Sequence, residues 1–335
     1  MIPFVHFRKK RYIGFDLGAR GVRAVEVQGR AGSWQVSSAV VHPLPPGAVR
    51  DGMVLVPDKV VAALDKLAAE QGWKGRRVFA SVGGSRLITR HLRLPLMPRE
   101  ELDKAVRYEA EQYLPVGTAE LSTDFAVLGK EQDGEGEKLE VLLAAVPLDT
   151  ARTYAELFEA AGLSLMALDI VPLAWQRVLV AALGDSLADQ AVGVLDLGYS
   201  CTHIVILYGS RVELCRSLPQ GWGVAEASSA AYEAAAAMAP PVPPAPSAGT
   251  ALEEVLGSIL NEMRRSVDFF RVQRRSAVWG SLYLGGALGG SSEVCALLEA
   301  EIGVPVKPFW PLAEGLVADP ELVVALGTAL RQVIP

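Results

Sequence analysis

Residues 12–28 read YIGFDLGARGVRAVEVQ and residues 192–208 read VGVLDLGYSCTHIVILY. Shifted by 180 positions, Asp16, Leu17, Gly18, Val25 and Gly29 fall on Asp196, Leu197, Gly198, Val205 and Gly209. Each stretch is an apolar run, an Asp-Leu-Gly turn and a second apolar run. A Gly turn then leads into a third run, which closes on Leu44-Pro45 in one copy and Leu218-Pro219 in the other. Apolar runs bounded by Gly and Pro are strand signals. Two copies of one three-strand plan predict two similar domains facing each other.

Apolar residues at helical spacing fill the gaps. They predict helices over 58–71, 98–113, 149–161, 172–183, 252–273 and 322–333, and one from a Ser292 cap to Gly303. Between 86 and 147 the order changes. Strands are expected in RLITRHLRLP (86–95), STDFAVLG (122–129) and KLEVLLAAV (138–146), with KEQDGEGE (130–137) as the hairpin joining the last two. This reads as a small α+β module inserted in the first half. Residues 239–249 are Pro-rich and read as an extended linker.

The chain has 335 residues, enough for about two domains. Its formal charge of −6, from 32 basic and 38 acidic residues, argues against a nucleic-acid binder, which needs clustered positive charge. Cys201, Cys215 and Cys295 form no C-x-x-C pair, so neither a disulfide framework nor a Cys-based zinc site is expected, and a reducing cytoplasm is the expected location. The four histidines are isolated in the sequence. The long uncharged stretches are interrupted by Pro or Gly, so no spanning helix is expected.

An Asp-x-Gly turn between strands brings two groups to one point. The glycine lets the backbone come close and present its N–H groups. The aspartate offers a carboxylate to a hydrated magnesium ion. A single Asp-Leu-Gly is common in ordinary turns; two of them facing across a cleft would clamp a polyphosphate from both sides. Asp16 and Asp196 are therefore the expected magnesium residues, acting through water. Gly18, Arg20, Gly21 and Arg23 on one side, and Gly198, Tyr199, Ser200 and Thr202 on the other, are the expected phosphate residues. A third piece is the strand end SLYLGGALGG, where Gly285, Gly286 and Ala287 can approach a base or ribose.

With these pieces in order, the chain resembles the actin-like ATPase superfamily, and within it the branch of the pilus assembly protein PilM and the division protein FtsA. The resemblance runs through GFDLGARGVRAVEV, RLPLMPREELDKAVRYEAEQYLPV, GVLDLGYSCTHIVIL, NEMRRSVDFFRVQ and LYLGGALGGSSEVCALLEAEIGVPV. It implies an α/β, actin-like (ribonuclease H-like) two-lobed fold with duplicated βββαβα units and an inserted α+β module. Residues 1–85 with 148–188 would form the first lobe, 86–147 the module and 189–335 the second lobe. It implies ATP with magnesium between the lobes, adding Gly221 and Gly223 in the loop after the second three-strand unit and Glu262 and Arg265 on the nucleoside-side helix. It also implies a cytoplasmic scaffold, peripheral to the inner membrane. Its partners would be the N-terminal cytoplasmic segment of a PilN-like single-span membrane protein, the pilus platform and motor, and further copies of the chain. Leu92, Leu94, Tyr108, Tyr113, Leu114 and Pro115 would line the peptide groove.

The sequence also departs from that pattern. Ala19-Arg20-Gly21 stands where the family carries small hydroxyl residues, and PQGWGVAEA (219–227) stands in place of a Gly-Gly-Asn-x-Thr-like loop. No residue stands out as a base for activating water, so at most a weak ATPase is expected and no catalytic residue is assigned. The alternative is a degenerate scaffold that binds no nucleotide and acts through protein contacts alone.

Overall fold

The computed structural model describes residues 10–113, 120–133, 136–223, 248–309 and 320–334; the side chains of 133 and 248–255 lie outside the description. Leu114, Pro115 and the linker residues 239–247 fall outside it as well. The linker expectation is corrected at its end, because residues 248 and 249 already belong to a helix.

The first sheet has the order β10-β6-β1-β2-β3. Strands β1 (Arg11–Gly18), β2 (Gly21–Arg30) and β3 (Ser33–Pro43) form an antiparallel meander. A short hairpin, β4 (Val49–Arg50) and β5 (Met53–Val54), precedes helix α1 (Pro57–Glu70) and strand β6 (Arg77–Val82), which runs parallel to β1. Next come β7 (Ile88–Pro95), α2 (Arg99–Tyr113), β8 (Leu121–Asp133) and β9 (Gly136–Pro147), which make a separate antiparallel sheet of order β7-β9-β8. Helix α3 (Leu148–Ala160), strand β10 (Ser164–Ile170) and helix α4 (Val171–Leu183) return the chain to the first sheet.

The second sheet repeats the plan in the order β13-β12-β11-β14-β15. Strands β11 (Gln190–Leu197), β12 (Thr202–Tyr208) and β13 (Arg211–Leu218) form the meander. Helix α5 (Ala248–Gln273), strand β14 (Val278–Gly286) parallel to β11, helix α6 (Ser292–Ile302) and strand β15 (Val306–Pro308) complete it. Strand for strand, β1, β2, β3, β6 and β10 correspond to β11, β12, β13, β14 and β15. The duplication read from the two Asp-Leu-Gly stretches is thus present in the hydrogen-bonded order of the sheets.

Central strands read as near-continuous apolar runs because both their faces are covered. Phe15 packs edge-on against Trp73 and Phe158, at 5.8 and 5.2 Å between ring centroids. The last helix, α7 (Val323–Ala329), lies flanked by 3₁₀ turns at Pro320–Leu322 and Leu330–Gln332 rather than as the continuous helix expected over 322–333. It packs on β1 and α4 so closely that a Cβ on Gly14 would sit 2.3 Å from the Ala325 carbonyl oxygen, and one on Gly327 would sit 2.1 Å from that of Ala174. Helix α4, α7 and residues of β11 and β12 share one apolar cluster that joins the two lobes. The helix α6 cap is also corrected: Ser291, not Ser292, accepts from the Val294 N–H, because the turn before it ends one residue earlier. Among the described residues no helix is long and apolar enough to cross a membrane.

Candidate functional site

The ends of β1 and β11 open into one cleft. Its walls include Asp16, Gly18, Arg20 and Arg23 from the first unit, Asp196, Gly198, Tyr199 and Ser200 from the second, and Gly286 with Ala287 from the third turn. The antiparallel register sets Arg23 on β2 directly across from Asp16, and His203 on β12 directly across from Asp196. Arg23 and His203 are therefore the duplicated counterparts of one another.

Asp196 is buried and Asp16 partly so, and desolvation pushes both up. For Asp16 the nearby Arg23 opposes the rise and the charge of Asp196 adds to it. Asp196 is pushed up to about 6, against the opposing hydrogen bond from Trp175. Trp175 Nε1 donates to Asp196 Oδ2 at 2.8 Å. Arg23 Nη1 lies 3.4 Å from Asp16 Oδ2, and Arg23 Nε donates to Glu321 Oε2 at 3.0 Å, with Nη2 making a second bond to the same oxygen. The Arg23 side chain covers Gly18, where an added Cβ would meet Nη1 at 1.8 Å. His203 is buried and held neutral, its pKa lowered to about 4; its Nδ1 lies 2.9 Å from Ser217 Oγ.

Arg20 reaches across the cleft. Its guanidinium carbon stands 5.4 Å from the centroids of both Tyr199 and Trp222, and those two rings meet edge-on at 5.0 Å. The Asp51 N–H donates to Ser200 Oγ at 3.0 Å, also across the cleft. Asp51 and Gly52 have φ of 47° and 73°, the paired left-handed geometry of a tight hairpin turn between β4 and β5. That turn packs on Gly83 and Gly84, where a Cβ on Gly84 would sit 2.1 Å from the Asp51 carbonyl oxygen.

Other expected residues stand back from the walls. Thr202 is fully buried and donates its hydroxyl to the Gln220 carbonyl at 2.7 Å, so as a phosphate donor it is corrected in this conformation. Gly21, Gly221, Gly223 and Gly285 lie behind the lining, the last against Trp175. Glu262 is tied to Arg216 and Arg265, at 3.1 and 2.6 Å, outside the cleft. Leu92 and Leu94 are corrected as groove residues: they are buried in the interior of the module with Leu102, Val106 and Val141. Tyr108 and Tyr113 on α2 are exposed. Sequence reading missed Glu321, Trp175 and the Asp51 turn; only the last had a signal, the Asp-Gly pair at 51–52.

The family model for the type IV pilus assembly protein PilM matches residues 14–232. The chain belongs to the PilM family. A solved PilM-PilN type IV pilus biogenesis complex is similar along the whole fold, at 29% identity and TM-score 0.79, covering 97% of this chain and 99% of that one. The ethanolamine utilization protein EutJ from Carboxydothermus hydrogenoformans is 15% identical at TM-score 0.48, covering 96% of this chain and 89% of its own, a likeness too low to carry an argument. The family and the repeated sheets together give the actin-like two-lobed α/β fold, as the sequence leads one to expect.

The donor set suits a magnesium-bound nucleotide. Asp16 and Asp196, at duplicated positions, would hold a hydrated divalent ion, whose charge would favour their ionised forms. Arg20 and Arg23 supply guanidinium donors for phosphate oxygens. Among the described residues no group of three or more His, Cys, Asp or Glu is placed to hold a metal ion directly.

Proposed function

We propose that the chain is an actin-like scaffold of the type IV pilus inner-membrane platform that binds ATP with magnesium between its lobes and grips a PilN-like partner with its inserted module. The nucleotide part rests on one observation: Asp16 and Asp196, at duplicated positions, line the same cleft. The partner part rests on the likeness to a PilM solved with PilN. On this reading the protein is cytoplasmic, peripheral to the inner membrane through its partner, and self-associates within the platform. The lobes comprise 1–85 with 148–188 and 189–335, with 86–147 as the module, although α7 at the end of the second stretch packs back on β1 and α4 of the first. The peptide would lie along α2 by Tyr108 and Tyr113. Turnover is slow or absent, at most that of a weak ATPase.

The test of the partner is co-purification of the full chain with a synthetic cytoplasmic N-terminal segment of a PilN-like protein from the same organism. Retention by wild type and loss in a Tyr108→Ala, Tyr113→Ala double variant is the expected result. No retention by wild type overturns the assignment.

A second reading, a scaffold without nucleotide, is favoured by one feature. Arg23 already balances Asp16 and Glu321, and Arg20 is already seated between Tyr199 and Trp222. On that reading internal guanidiniums do what a ligand does elsewhere, and the lobes close on themselves.

A further inference from the structure

The inserted module is joined by chain only to the first lobe, between β6 and α3. Its side chains nevertheless bind the second. Arg274, in the turn that follows α5, donates from Nη2 to Glu131 Oε2 on β8 at 3.3 Å and from Nη1 to Glu131 Oε1. The same guanidinium donates from Nη2 to Glu213 Oε1 on β13 at 3.2 Å and from Nε to Glu213 Oε2 at 3.3 Å. It also lies 5.6 Å from the centroid of the Tyr208 ring. The three charged side chains are only 15–24% exposed, so the bridge is shielded from salt and water far better than a surface pair. Both edges of the guanidinium fork are used, a geometry that lysine cannot copy.

The surrounding contacts run the same way. Arg93 on β7 holds Glu131 at 3.3 Å and Glu140 at 2.9 Å, which fixes the module end of the bridge. Arg211 on β13 donates to the Lys130 carbonyl on β8 at 3.2 Å, and Thr89 on β7 lies 3.1 Å from the Cys215 sulfur on β13. These bonds cross from the module to the second lobe beside β13, the strand at the edge of the second sheet.

We infer that Arg274 is a clasp that makes the inserted module follow the second lobe, although the chain attaches it to the first. Any change in the angle between the lobes must then either move the module or break the clasp. The consequence that a ligand in the cleft and a peptide on the module sense one another through this bridge rests on the proposed function. The clasp itself does not.

Hydrogen exchange of the ligand-free full-length protein tests it. In Arg274→Ala the amides of β8 and β13 are expected to exchange about tenfold faster, while β1 and β11 keep their protection. Glu131→Gln, which keeps the shape and removes the charge at the module end of the bridge, is expected to speed exchange in the same two strands. Wild-type protection of β8 and β13 in Arg274→Ala overturns the inference, as does wild-type protection of both strands in Glu131→Gln. Should Arg274→Ala lose protection throughout, Arg274→Lys decides: faster exchange confined to β8 and β13 supports the clasp, and a wild-type profile overturns it. Neither nucleotide nor partner enters this measurement, so a cleft that binds no ATP leaves its outcome unchanged.

Discussion

The indole Nε1 of Trp175 donates a 2.8 Å hydrogen bond to Oδ2 of Asp196, linking α4 of the first lobe to the end of β11 in the second. The bond favours the charged carboxylate, yet burial outweighs it and Asp196 titrates near 6. The folded state thus holds this proton longer than the unfolded chain does. Its contribution to stability is full at acid pH and is lost as pH rises from about 4 to about 6. Asp196→Asn keeps an oxygen for Trp175 and removes the buried charge. At pH 8 without ligand it is expected to raise the melting temperature by a few degrees, from a gain on the order of 1 kcal/mol. A thermal melt of both proteins checks this.

His203 works in the opposite direction. Its folded pKa is lowered to about 4 by burial. Stability from the neutral ring is complete above about 6.5 and is lost as pH falls from there toward 4, because only the unfolded chain takes up the proton. His203→Gln is expected to flatten that acid limb. Urea midpoints of wild type and variant between pH 7 and pH 4.5 should converge if the ring carries the effect.

Gly327 lets α7 lie against α4. An added methyl would stand 2.1 Å from the Ala174 carbonyl oxygen, which is backbone and cannot swing aside. Gly327→Ala is expected to cost about 2–3 kcal/mol through overpacking. The check is the urea midpoint of the variant, which should fall with little change in slope.

Arg20 closes the mouth of the cleft on Tyr199 and Trp222. Each cation–π contact is worth about 0.5–1 kcal/mol at a partly exposed site. Arg20→Ala is expected to speed amide exchange in residues 18–21 and 220–223 several-fold, with the sheets unaffected. Unchanged exchange there would show that the two loops are held by other contacts.

The duplicated hairpins were legible because the Asp-Leu-Gly turn and the strand run after it keep the same spacing in both copies. From that spacing the sheet order and the shared cleft follow. Glu321 was not legible: it meets Arg23 across 298 residues, and no local pattern records such a pairing. Leu92 and Leu94 show a different limit. Alternation along β7 marks one face as apolar, but only the placement of α2 decides whether that face is groove or interior. The Trp222 loop, which reads from the sequence as a damaged phosphate loop, becomes intelligible once Arg20 is seen seated against it.

The central claim is that the cleft between Asp16 and Asp196 takes a magnesium nucleotide, and direct titration is its sharpest test. Fluorescently labelled ATP with excess magnesium should bind the wild-type chain saturably, and an Asp16→Ala, Asp196→Ala double variant at least about tenfold more weakly, the loss expected when a cation's two charged anchors are removed. Equal affinity of the two proteins, or no saturable binding by wild type, would contradict the account and leave the ligand-free scaffold standing.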